Sequence, residues 1–333
     1  MRLIWNLREA KLSMSPINTP LPSGNLHAHC PLCGSSMLKD LFPEGTMDPI
    51  TGEWFHILNC QECRVAFTSP LPADLEPYYP SKYRGYSPLV TSILQWFYAR
   101  RVNEWHGLRN SPGKALEVGC GAGLMLDALS RKGWSVKGIE RTEVMANYAR
   151  EQLGLDVTSE DLVDLPAKPS YDLIIIFNVL EHLVNPVEIL EACAERLNPG
   201  GKVVVSVPNF RSFQARFAGP VWLHLDPPRH LFHFTPESLE KILSRVGLKA
   251  QFTGYVSMEH DPYGWVESII NRITGRQNAL TLFLMGIEPF SPRILLSMVL
   301  SVLLAGPALF LSGFSWLAGN GALFQTVAGK QDD

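Results

Sequence analysis

Apolar residues between positions 114 and 208 form short runs that alternate with amphipathic stretches. Largely apolar runs occupy 115–118, 173–177 and 203–207, and each is bounded by glycine, proline or polar residues. Between these runs, apolar residues recur three and four positions apart, as they do on one face of a helix. This alternation predicts an α/β domain with a mainly parallel sheet, because strands buried on both faces read as continuous apolar runs.

A glycine-rich turn follows the first apolar run and leads into a helical pattern. It contains Glu117, Gly119, Cys120, Gly121 and Gly123. Glycine lets the backbone turn sharply and approach a ligand where a Cβ atom would collide. A strand, a glycine turn and a helix together predict a site for a nucleotide-type cofactor. The dinucleotide fingerprint has the spacing G-x-G-x-x-G, whereas the third glycine here comes one residue early.

The second predicted strand, 135–140, ends in the acidic residue Glu140. This position follows the glycine turn by about 20 residues, the spacing expected for a ribose ligand. A carboxylate there accepts hydrogen bonds from both ribose hydroxyl groups. Glu140 is therefore the predicted ribose-binding residue, and the alternative is a solvated glutamate at a strand end.

The glycine turn resembles motif I of the class I S-adenosylmethionine (SAM) methyltransferases. Further matching segments follow in the order typical of that class: Glu140, the stretch 161–166, the Leu-Glu-His segment 180–182 and the Pro-Gly-Gly segment 199–201. The resemblance covers residues 110–260. It implies a Rossmann-like seven-stranded sheet, SAM as the cofactor, and binding of that cofactor by the glycine turn.

The same resemblance assigns three more cofactor-binding positions. Asp161 would receive the adenine amino group, with Leu162 against the adenine ring, and Asp164 is the rival for that role. Asn178, at the end of the strand 171–177, would lie beside the methionine end of the cofactor.

A loop rich in histidine and aromatic residues precedes a helix that Thr235 is predicted to cap. This loop resembles a segment of the sugar C-methyltransferases, which also carry an N-terminal CxxC zinc domain. In that family a histidine is the proposed base, and His230 matches it. Arg229 and His233 depart from that family's pattern, so oxygen is favoured over carbon as the methyl acceptor. His182 either faces the site or caps a helix, and the alternative for His230 is a hydrogen bond within the loop.

Four of the six cysteines form two CxxC pairs, C-x2-C-x26-C-x2-C: Cys30, Cys33, Cys60 and Cys63. Two such pairs place four thiolates around one point, which predicts a tetrahedral zinc site. The N-terminus lacks the apolar core of a secretion signal, which favours metal binding over disulfides. The alternatives are reduced thiols and a redox pair.

Residues 294–329 contain no charged side chain. Two apolar runs, 294–305 and 307–318, are separated by Gly306-Pro307. Each would form a helix about 18 Å long, shorter than the ~30 Å hydrocarbon core of a bilayer. The segment 321–328 is the predicted last strand of the sheet, so a full span would separate it from its neighbouring strand. We therefore predict a re-entrant hairpin or in-plane helices on a membrane; the alternative is a buried helical pair or an oligomer interface.

The predicted organisation has six parts: a disordered leader (1–26), a zinc ribbon (27–70), a linker and helix (71–110), a SAM-binding core (111–260), an apolar helical insertion (261–320), and the last strand and tail (321–333). The net charge of −3 argues against a nucleic-acid partner. The predicted function is SAM-dependent methylation of a small or lipid-linked acceptor, such as a sugar, a glycan or a quinone-like lipid, at the cytoplasmic face of a membrane. The alternatives are an RNA methyltransferase and a non-catalytic, membrane-bound scaffold that binds zinc and SAM.

Overall fold

The computed structural model describes residues 26–79, 88–106 and 111–331. Residues 1–25 of the predicted leader lie outside the described residues, as do residues 80–87 and 107–110 of the predicted linker and helix.

The N-terminal part of the chain forms a small antiparallel sheet. Its strands are β1 (Leu38–Asp40), β2 (Thr46–Met47), β3 (Trp54–Cys60) and β4 (Ala66–Ser69). Strands β1, β2 and β4 all pair with β3. The second CxxC pair lies in the turn from β3 to β4, and the first pair precedes β1.

Helices and strands mostly alternate up to residue 254, as the apolar pattern of 114–208 predicts for the core, and three successive helices precede the last strand. They are α1 (Pro88–His106), β5 (Lys114–Val118), α2 (Leu124–Ser130), β6 (Ser135–Ile139), α3 (Glu143–Leu153), β7 (Val157–Thr158), β8 (Tyr171–Phe177), α4 (Pro186–Arg196), β9 (Leu197–Pro208), α5 (Phe213–Ala218), β10 (Phe232–His233), α6 (Pro236–Arg245), β11 (Leu248–Gly254), α7 (Asp261–Thr274), α8 (Ala279–Leu284), α9 (Pro292–Leu317) and β12 (Leu323–Lys330). Short 3-10 helices lie at Glu76–Tyr78, Leu162–Asp164, Leu180–His182, Gly219–Val221 and Leu223–Leu225.

Seven strands form the central sheet in the order β11-β12-β9-β8-β5-β6-β7. Strands β5 to β9 run parallel to one another, and β12 lies antiparallel between β9 and β11. Ile174 of β8 and Val204 of β9 are fully buried, since helices cover both faces of the sheet. The predicted Rossmann-like, seven-stranded sheet is confirmed. The carboxyl ends of its parallel strands meet at one edge, where ligands bind in folds of this type.

The N-terminal sheet is joined to the core through β10. Phe232 and His233 pair with Phe67 and Ala66 of β4, so a loop of the core supplies the last strand of the small sheet. The helix α6 that follows begins with a capping box between Thr235 and Ser238, which confirms the predicted cap. The loop around His230 is therefore held between a strand and a capped helix.

The two apolar runs near the carboxyl end form one continuous helix, α9, so the predicted division into two helices at Gly306-Pro307, and with it the hairpin, is wrong. The predicted in-plane position on a membrane stays a prediction. Pro307 lies inside this 26-residue helix. Proline removes one backbone donor and strains the helix by about 3 kcal/mol, and packing of α9 against α7 offsets that cost. A helix of this length extends about 39 Å. Within the described ranges, α9 is the one helix long and apolar enough to cross a membrane by length and composition.

Candidate functional site

The glycine turn after β5 adopts a backbone that side chains rarely tolerate. Gly119, Gly121 and Gly123 have φ angles of 72°, 53° and 76°. A Cβ atom on Gly119 would lie 2.5 Å from the side chain of Val179, whereas one on Gly121 would meet no atom within 4 Å. Gly119 therefore permits a close approach to the segment after β8, and Gly121 borders open space that a ligand can fill.

Glu140 lies directly beside this turn. Its carboxylate accepts hydrogen bonds from the backbone N–H of Gly121, at 2.9 Å, and of Thr142, at 2.7 Å. Glu140 and the glycine turn follow two adjacent strands, β6 and β5, so the fold places the predicted residue in contact with the turn. Its role as a ribose ligand stays a prediction.

Glu117 presents a buried carboxyl group to the same region. It is 4% exposed, and its Oε2 atom has no hydrogen-bond partner among the described residues. Burial, with a smaller contribution from Glu140, raises the pKa of the Glu117 carboxyl group well above its usual value. A buried carboxyl oxygen of this kind requires a hydrogen-bond partner, which a ligand bound at the turn would supply.

Cys120 contributes to this region through its backbone. Its side chain is buried in a cluster with Leu126, Ala146 and Ala149, and that burial raises the pKa of the thiol. A cofactor contact at this position would therefore come from the main chain.

Asp161 accepts two hydrogen bonds from Arg141, at 2.7 and 2.5 Å. The guanidinium group holds the pKa of this carboxyl group below its usual value. Leu162 is buried in the core, and Asp164, the rival for the adenine role, is exposed. An adenine amino group would therefore share Asp161 with Arg141, a pair that the sequence analysis missed.

Asn178 follows β8 with a φ angle of 53°, a conformation that asparagine tolerates better than most residues. Its backbone N–H donates to the carbonyl of Ser206 at 2.8 Å, and its Oδ1 accepts from the Ser206 hydroxyl at 3.4 Å. These bonds fix the turn that follows β8.

Glu181, His182 and His230 form a cluster at this edge. One ligand atom from each lies within 4.8 Å of the others. The two imidazole ring centroids are 4.6 Å apart. The structure thus brings the two predicted catalytic histidines together, although they are 48 positions apart along the chain. It also adds Glu181, which the sequence analysis did not single out as a site residue.

The backbone around His230 is held on two sides. Thr68 of β4 donates its hydroxyl to the His230 carbonyl at 2.6 Å, and its N–H donates to the Leu231 carbonyl at 3.0 Å. On the other side, the Leu231 N–H donates to the Glu181 carbonyl at 2.8 Å. The small sheet therefore positions the histidine cluster, a relationship that no local sequence pattern indicates.

Arg229, which departs from the pattern of the sugar C-methyltransferases, is 1% exposed and does not face solvent. It donates to Asp48 at 2.8 Å and to Asp226 at 2.6 Å. His233 is also buried, and Thr68 lies 3.1 Å from its Nε2 atom. Burial lowers the pKa of His233 to about 3, which keeps the ring neutral. Arg229 and His233 therefore stabilise the packing of the loop that carries His230.

The four cysteines of the CxxC pairs converge. Sγ atoms are 3.6 Å apart for Cys30 and Cys63, and 3.5 Å apart for Cys33 and Cys60. All four Sγ atoms lie within 4.8 Å of one another. Thiolates bound at about 2.3 Å around a tetrahedral ion are about 3.8 Å apart. The cluster is therefore consistent with a zinc module.

Both CxxC turns have the same backbone form. Gly34 and Arg64, each directly after the second cysteine of its pair, have φ angles of 74° and 65°. Their N–H groups donate to the carbonyls of Cys30 and Cys60, at 2.8 and 3.0 Å. The Cys63 thiol donates a hydrogen bond to the Cys30 sulfur, which lowers the pKa of Cys30 and raises the pKa of Cys63.

Comparisons with known proteins agree with this arrangement. The family model described as "Methyltransferase domain" matches residues 91–251. The ubiquinone biosynthesis O-methyltransferase of Cereibacter sphaeroides is 30% identical over 173 residues, which cover 48% of this chain and 68% of that protein. The protein of the same name from Dinoroseobacter shibae is 32% identical over 161 residues, covering 44% and 62% of the two chains.

Among solved structures, a SAM-dependent methyltransferase from Archaeoglobus fulgidus aligns with 71% of this chain and 94% of its own length. The sequence identity is 19% and the TM-score is 0.45. The strand order, the glycine turn and the curated relatives lead to one conclusion: the chain belongs to the class I SAM-dependent methyltransferases.

Proposed function

We propose that this methyltransferase transfers the methyl group of SAM to a hydroxyl oxygen of a small, amphipathic acceptor of the quinone or phenol type. We further propose that it works on the cytoplasmic face of a membrane and that its four clustered cysteines hold zinc. The two relatives from Cereibacter sphaeroides and Dinoroseobacter shibae are named as ubiquinone biosynthesis O-methyltransferases, which supports oxygen as the acceptor atom. The net charge of −3 gives no support to RNA as the acceptor.

The observation that carries the proposal is the exposed apolar face of α9. Its side toward the protein combines small residues with leucines: Ala308, Ser312 and Ser315 are at most 2% exposed, and Leu300, Leu304 and Leu311 pack against α7 and α8. Its outer side carries large apolar side chains that are 41–92% exposed: Leu295, Leu296, Met298, Val299, Val302, Leu303, Leu309, Phe310, Phe314 and Leu317. Soluble proteins rarely expose a continuous apolar face of this kind, and small residues toward the protein are typical of helices in lipid.

The helix lies along the body of the protein. Ile294, in its first turn, is 1% exposed, and Trp316, in its last, donates to the buried Asp261 at 2.6 Å. Between these ends α9 packs on α7, which is itself tied to the core through Asn271 and the Val221 carbonyl at 3.0 Å. An apolar face attached at both ends suits insertion into the plane of a membrane surface, without a crossing.

The carboxyl end of α9 connects to the edge of the sheet that carries the candidate site. Helix α9 leads into β12, and Leu323 of β12 pairs with Pro208 at the carboxyl end of β9. The histidine cluster follows β8, the next strand in the sheet, at the same edge. An acceptor whose apolar tail stays in the membrane could therefore present its polar ring to this edge.

The cofactor supplies a methyl group activated on a sulfonium. We assign three acidic residues to cofactor binding. Glu140 would accept hydrogen bonds from the ribose hydroxyls, Asp161 would accept one from the adenine amino group, and Glu117 would accept one from another N–H group of the cofactor. Asn178 lies between this cradle and the histidine cluster. His182 and His230 are the groups placed to hold or move the proton that the acceptor hydroxyl loses.

Zinc would act on this site at a distance. Cys60 ends β3 and Cys63 precedes β4, so an ion bound there fixes the turn between the two strands. Strand β4 in turn holds the His230 loop through Thr68. A structural zinc ion would therefore stabilise the acceptor side of the site.

A panel of acceptors tests the proposal. The zinc-loaded chain is incubated with labelled SAM and, in separate reactions, with liposomes containing a prenylated catechol, liposomes containing a polyprenyl-linked glycan, and bulk RNA. We expect label in the catechol. Label in the glycan or RNA would contradict the acceptor class, and SAM binding without any transfer would favour the scaffold alternative.

A further inference from the structure

We propose that a cavity at the amino-terminal edge of the central sheet binds a phosphate-type anion, either inorganic phosphate or a phosphate monoester. The cavity has a volume of about 200 Å³. Its lining includes three cations, one phenol and two apolar side chains: Lys137, Lys168, Arg196, Tyr171, Leu165 and Pro166. None of the described residues that line it carries a carboxylate. The charge of the lining therefore suits an anion.

The cavity and the cofactor cradle lie at opposite edges of the sheet. Tyr171 is the first residue of β8, and Arg196 is the last residue of α4, directly before β9 begins. The cradle instead follows the carboxyl ends of β5 and β6. Helix α9 also joins the sheet at that other edge, since Leu323 of β12 pairs with Pro208. A soluble anion is therefore favoured over a lipid headgroup as the ligand.

Arg196 supplies a buried positive charge to the cavity, because its side chain is 2% exposed. Its Nη1 atom donates to the Ala192 carbonyl at 2.9 Å, and its Nη2 atom donates to the carbonyls of Leu165 and Val163. Its Nε–H group is buried and has no hydrogen-bond partner among the described residues. The nearest carboxylate, that of Glu195, is 3.5 Å away and 60% exposed. Burial of a cation costs free energy that a paired anion offsets, so a ligand in the cavity would stabilise this side chain.

Two lysines and a tyrosine add donors to the same cavity. Within the described part of the chain, the ammonium groups of Lys137 and Lys168 and the Tyr171 hydroxyl have no hydrogen-bond or ion-pair partner. Burial, with a smaller contribution from Asp156, raises the pKa of the Tyr171 hydroxyl, which therefore stays a proton donor at neutral pH. Asp156 and Glu195 are both exposed, so solvent screens their negative charge. The cavity thus keeps an excess of positive charge.

This set of donors matches the chemistry of phosphate. A phosphate group carries about two negative charges at neutral pH and offers several acceptor oxygens. Arginine and lysine are its usual ligands in proteins. A single carboxylate has fewer acceptor oxygens and half the charge. Leu165 and Pro166 add an apolar wall beside the donors, which suits the organic part of a phosphate monoester.

A bound anion would join three segments of the chain. Lys137 belongs to β6, Lys168 and Tyr171 belong to the segment that leads into β8, and Arg196 belongs to the end of α4. A ligand that binds only the folded protein raises its free energy of unfolding. The site does not depend on the proposed function, because neither the methyl acceptor nor the methyl transfer takes part in it.

Calorimetric titration of the zinc-loaded chain with inorganic phosphate tests the site. SAM is present at saturation, so that phosphate does not occupy the glycine turn, and chloride keeps the ionic strength constant. Lys137→Met, Lys168→Met and Tyr171→Phe each remove one donor. Lys132→Met is the matched control, because Lys132 is exposed and does not line the cavity. A second titration uses phenyl phosphate, which adds an apolar group to the same anion.

We expect saturable binding of one phosphate per wild-type chain and an unchanged affinity in the Lys132 variant. Each of the other two lysine variants should bind about tenfold more weakly and Tyr171→Phe about threefold, because charged hydrogen bonds contribute more than neutral ones. No saturable binding by the wild type, or equal binding in all five proteins, would overturn the proposal. Tyr171→Phe removes a single oxygen atom, so it keeps the test valid if a lysine variant does not fold.

The two titrations also distinguish the two ligands, and either result supports the site. Tighter binding of phenyl phosphate, weakened by the same three changes, would identify a phosphate monoester. Equal or tighter binding of inorganic phosphate, weakened in the same way, would identify the free anion.

Discussion

Arg229 donates a hydrogen bond to Asp48 at 2.8 Å, and both side chains are almost completely removed from solvent, at 1% and 0% exposure. Arg229 belongs to the loop that carries His230, and Asp48 belongs to the small N-terminal sheet. The guanidinium group also donates to the Tyr78 carbonyl and to Asp226. One arginine therefore joins the cysteine module to the acceptor side of the methyltransferase core.

Replacing Arg229 with methionine leaves two carboxylates without their cation. We expect the free energy of unfolding to fall by about 3–5 kcal/mol, because breaking a buried ion pair from one side leaves uncompensated charge. Urea denaturation measures this change. Arg131→Met is the matched control, since Arg131 pairs with Asp127 at the surface, where such pairs contribute about 1 kcal/mol or less. Equal effects of the two changes would contradict this role of Arg229.

Glu140→Gln tests the cofactor cradle. The change removes the negative charge that accepts hydrogen bonds from Gly121 and Thr142 and that we assign to the ribose. Loss of charged hydrogen bonds of this kind weakens SAM binding by about 10- to 100-fold. Calorimetry with SAM measures the affinity, and Glu143→Gln, three residues away, is the control. An unchanged affinity in Glu140→Gln would remove this residue from the cofactor site.

The sequence predicts the cradle well because its determinants are local. The three glycines and Glu140 each follow a strand, and parallel strand ends must meet at one edge of the sheet. The two cysteine turns are equally local. By contrast, the pairing of β4 with β10 joins residues more than 160 positions apart, and no periodic pattern specifies it.

Two further differences between prediction and structure have physical causes. Gly306-Pro307 is a helix-breaking pair by intrinsic preference, yet α9 continues through it because tertiary packing along α7 outweighs one lost hydrogen bond. Arg141 follows Glu140 and forms an ion pair with Asp161 across the strand ends. This contact depends on the direction of the arginine side chain, which the spacing of residues along the sequence does not indicate. Glu181 was missed because a glutamate beside a histidine is common at the surface.

Glu267 of α7 makes the stability of the helical insertion dependent on pH. It is 0% exposed, and burial raises the pKa of its carboxyl group to about 7 despite a hydrogen bond from Tyr263. Between pH 4.5 and about 7, the folded protein keeps a proton that the unfolded chain has released. The free energy of unfolding therefore falls as the pH rises through this window.

Glu267→Gln should reduce that dependence, and Asp261 of the same helix, whose pKa burial also raises to about 7, retains the rest. A shift of this size corresponds to about 3 kcal/mol between the ends of the window. We expect the variant to match the wild type near pH 4 and to exceed it in stability at pH 8, as measured by urea denaturation at each pH. A wild-type stability that is flat or rising from pH 5 to pH 7, with the same profile in the variant, would contradict this account.

Charged substitutions on the outer face of α9 test membrane binding. Val302 and Phe310 are 77% and 75% exposed, so replacing both with glutamate should leave the fold intact. We expect the double variant to lose most of its flotation with anionic liposomes, because two carboxylates would enter an apolar layer. Val144 and Phe252, which are 78% and 62% exposed on other elements, give a matched double variant that should float like the wild type.

An unchanged flotation of the Val302→Glu/Phe310→Glu variant would exclude α9 as the membrane surface. Loss of flotation in both double variants would show that added negative charge alone, and not the position on α9, repels the liposomes. Circular dichroism of each variant checks that the helical content is retained.

The most direct test of the central claim compares methyl transfer to two acceptors with the same phenolic ring. One acceptor carries a long prenyl tail embedded in liposomes, and the other carries a short tail and dissolves in water. We predict that Val302→Glu/Phe310→Glu lowers kcat/KM at least tenfold for the embedded acceptor and leaves that for the soluble acceptor within about twofold. Equal rates of the variant and the wild type on both acceptors, or no transfer by the wild type to either, would contradict the account.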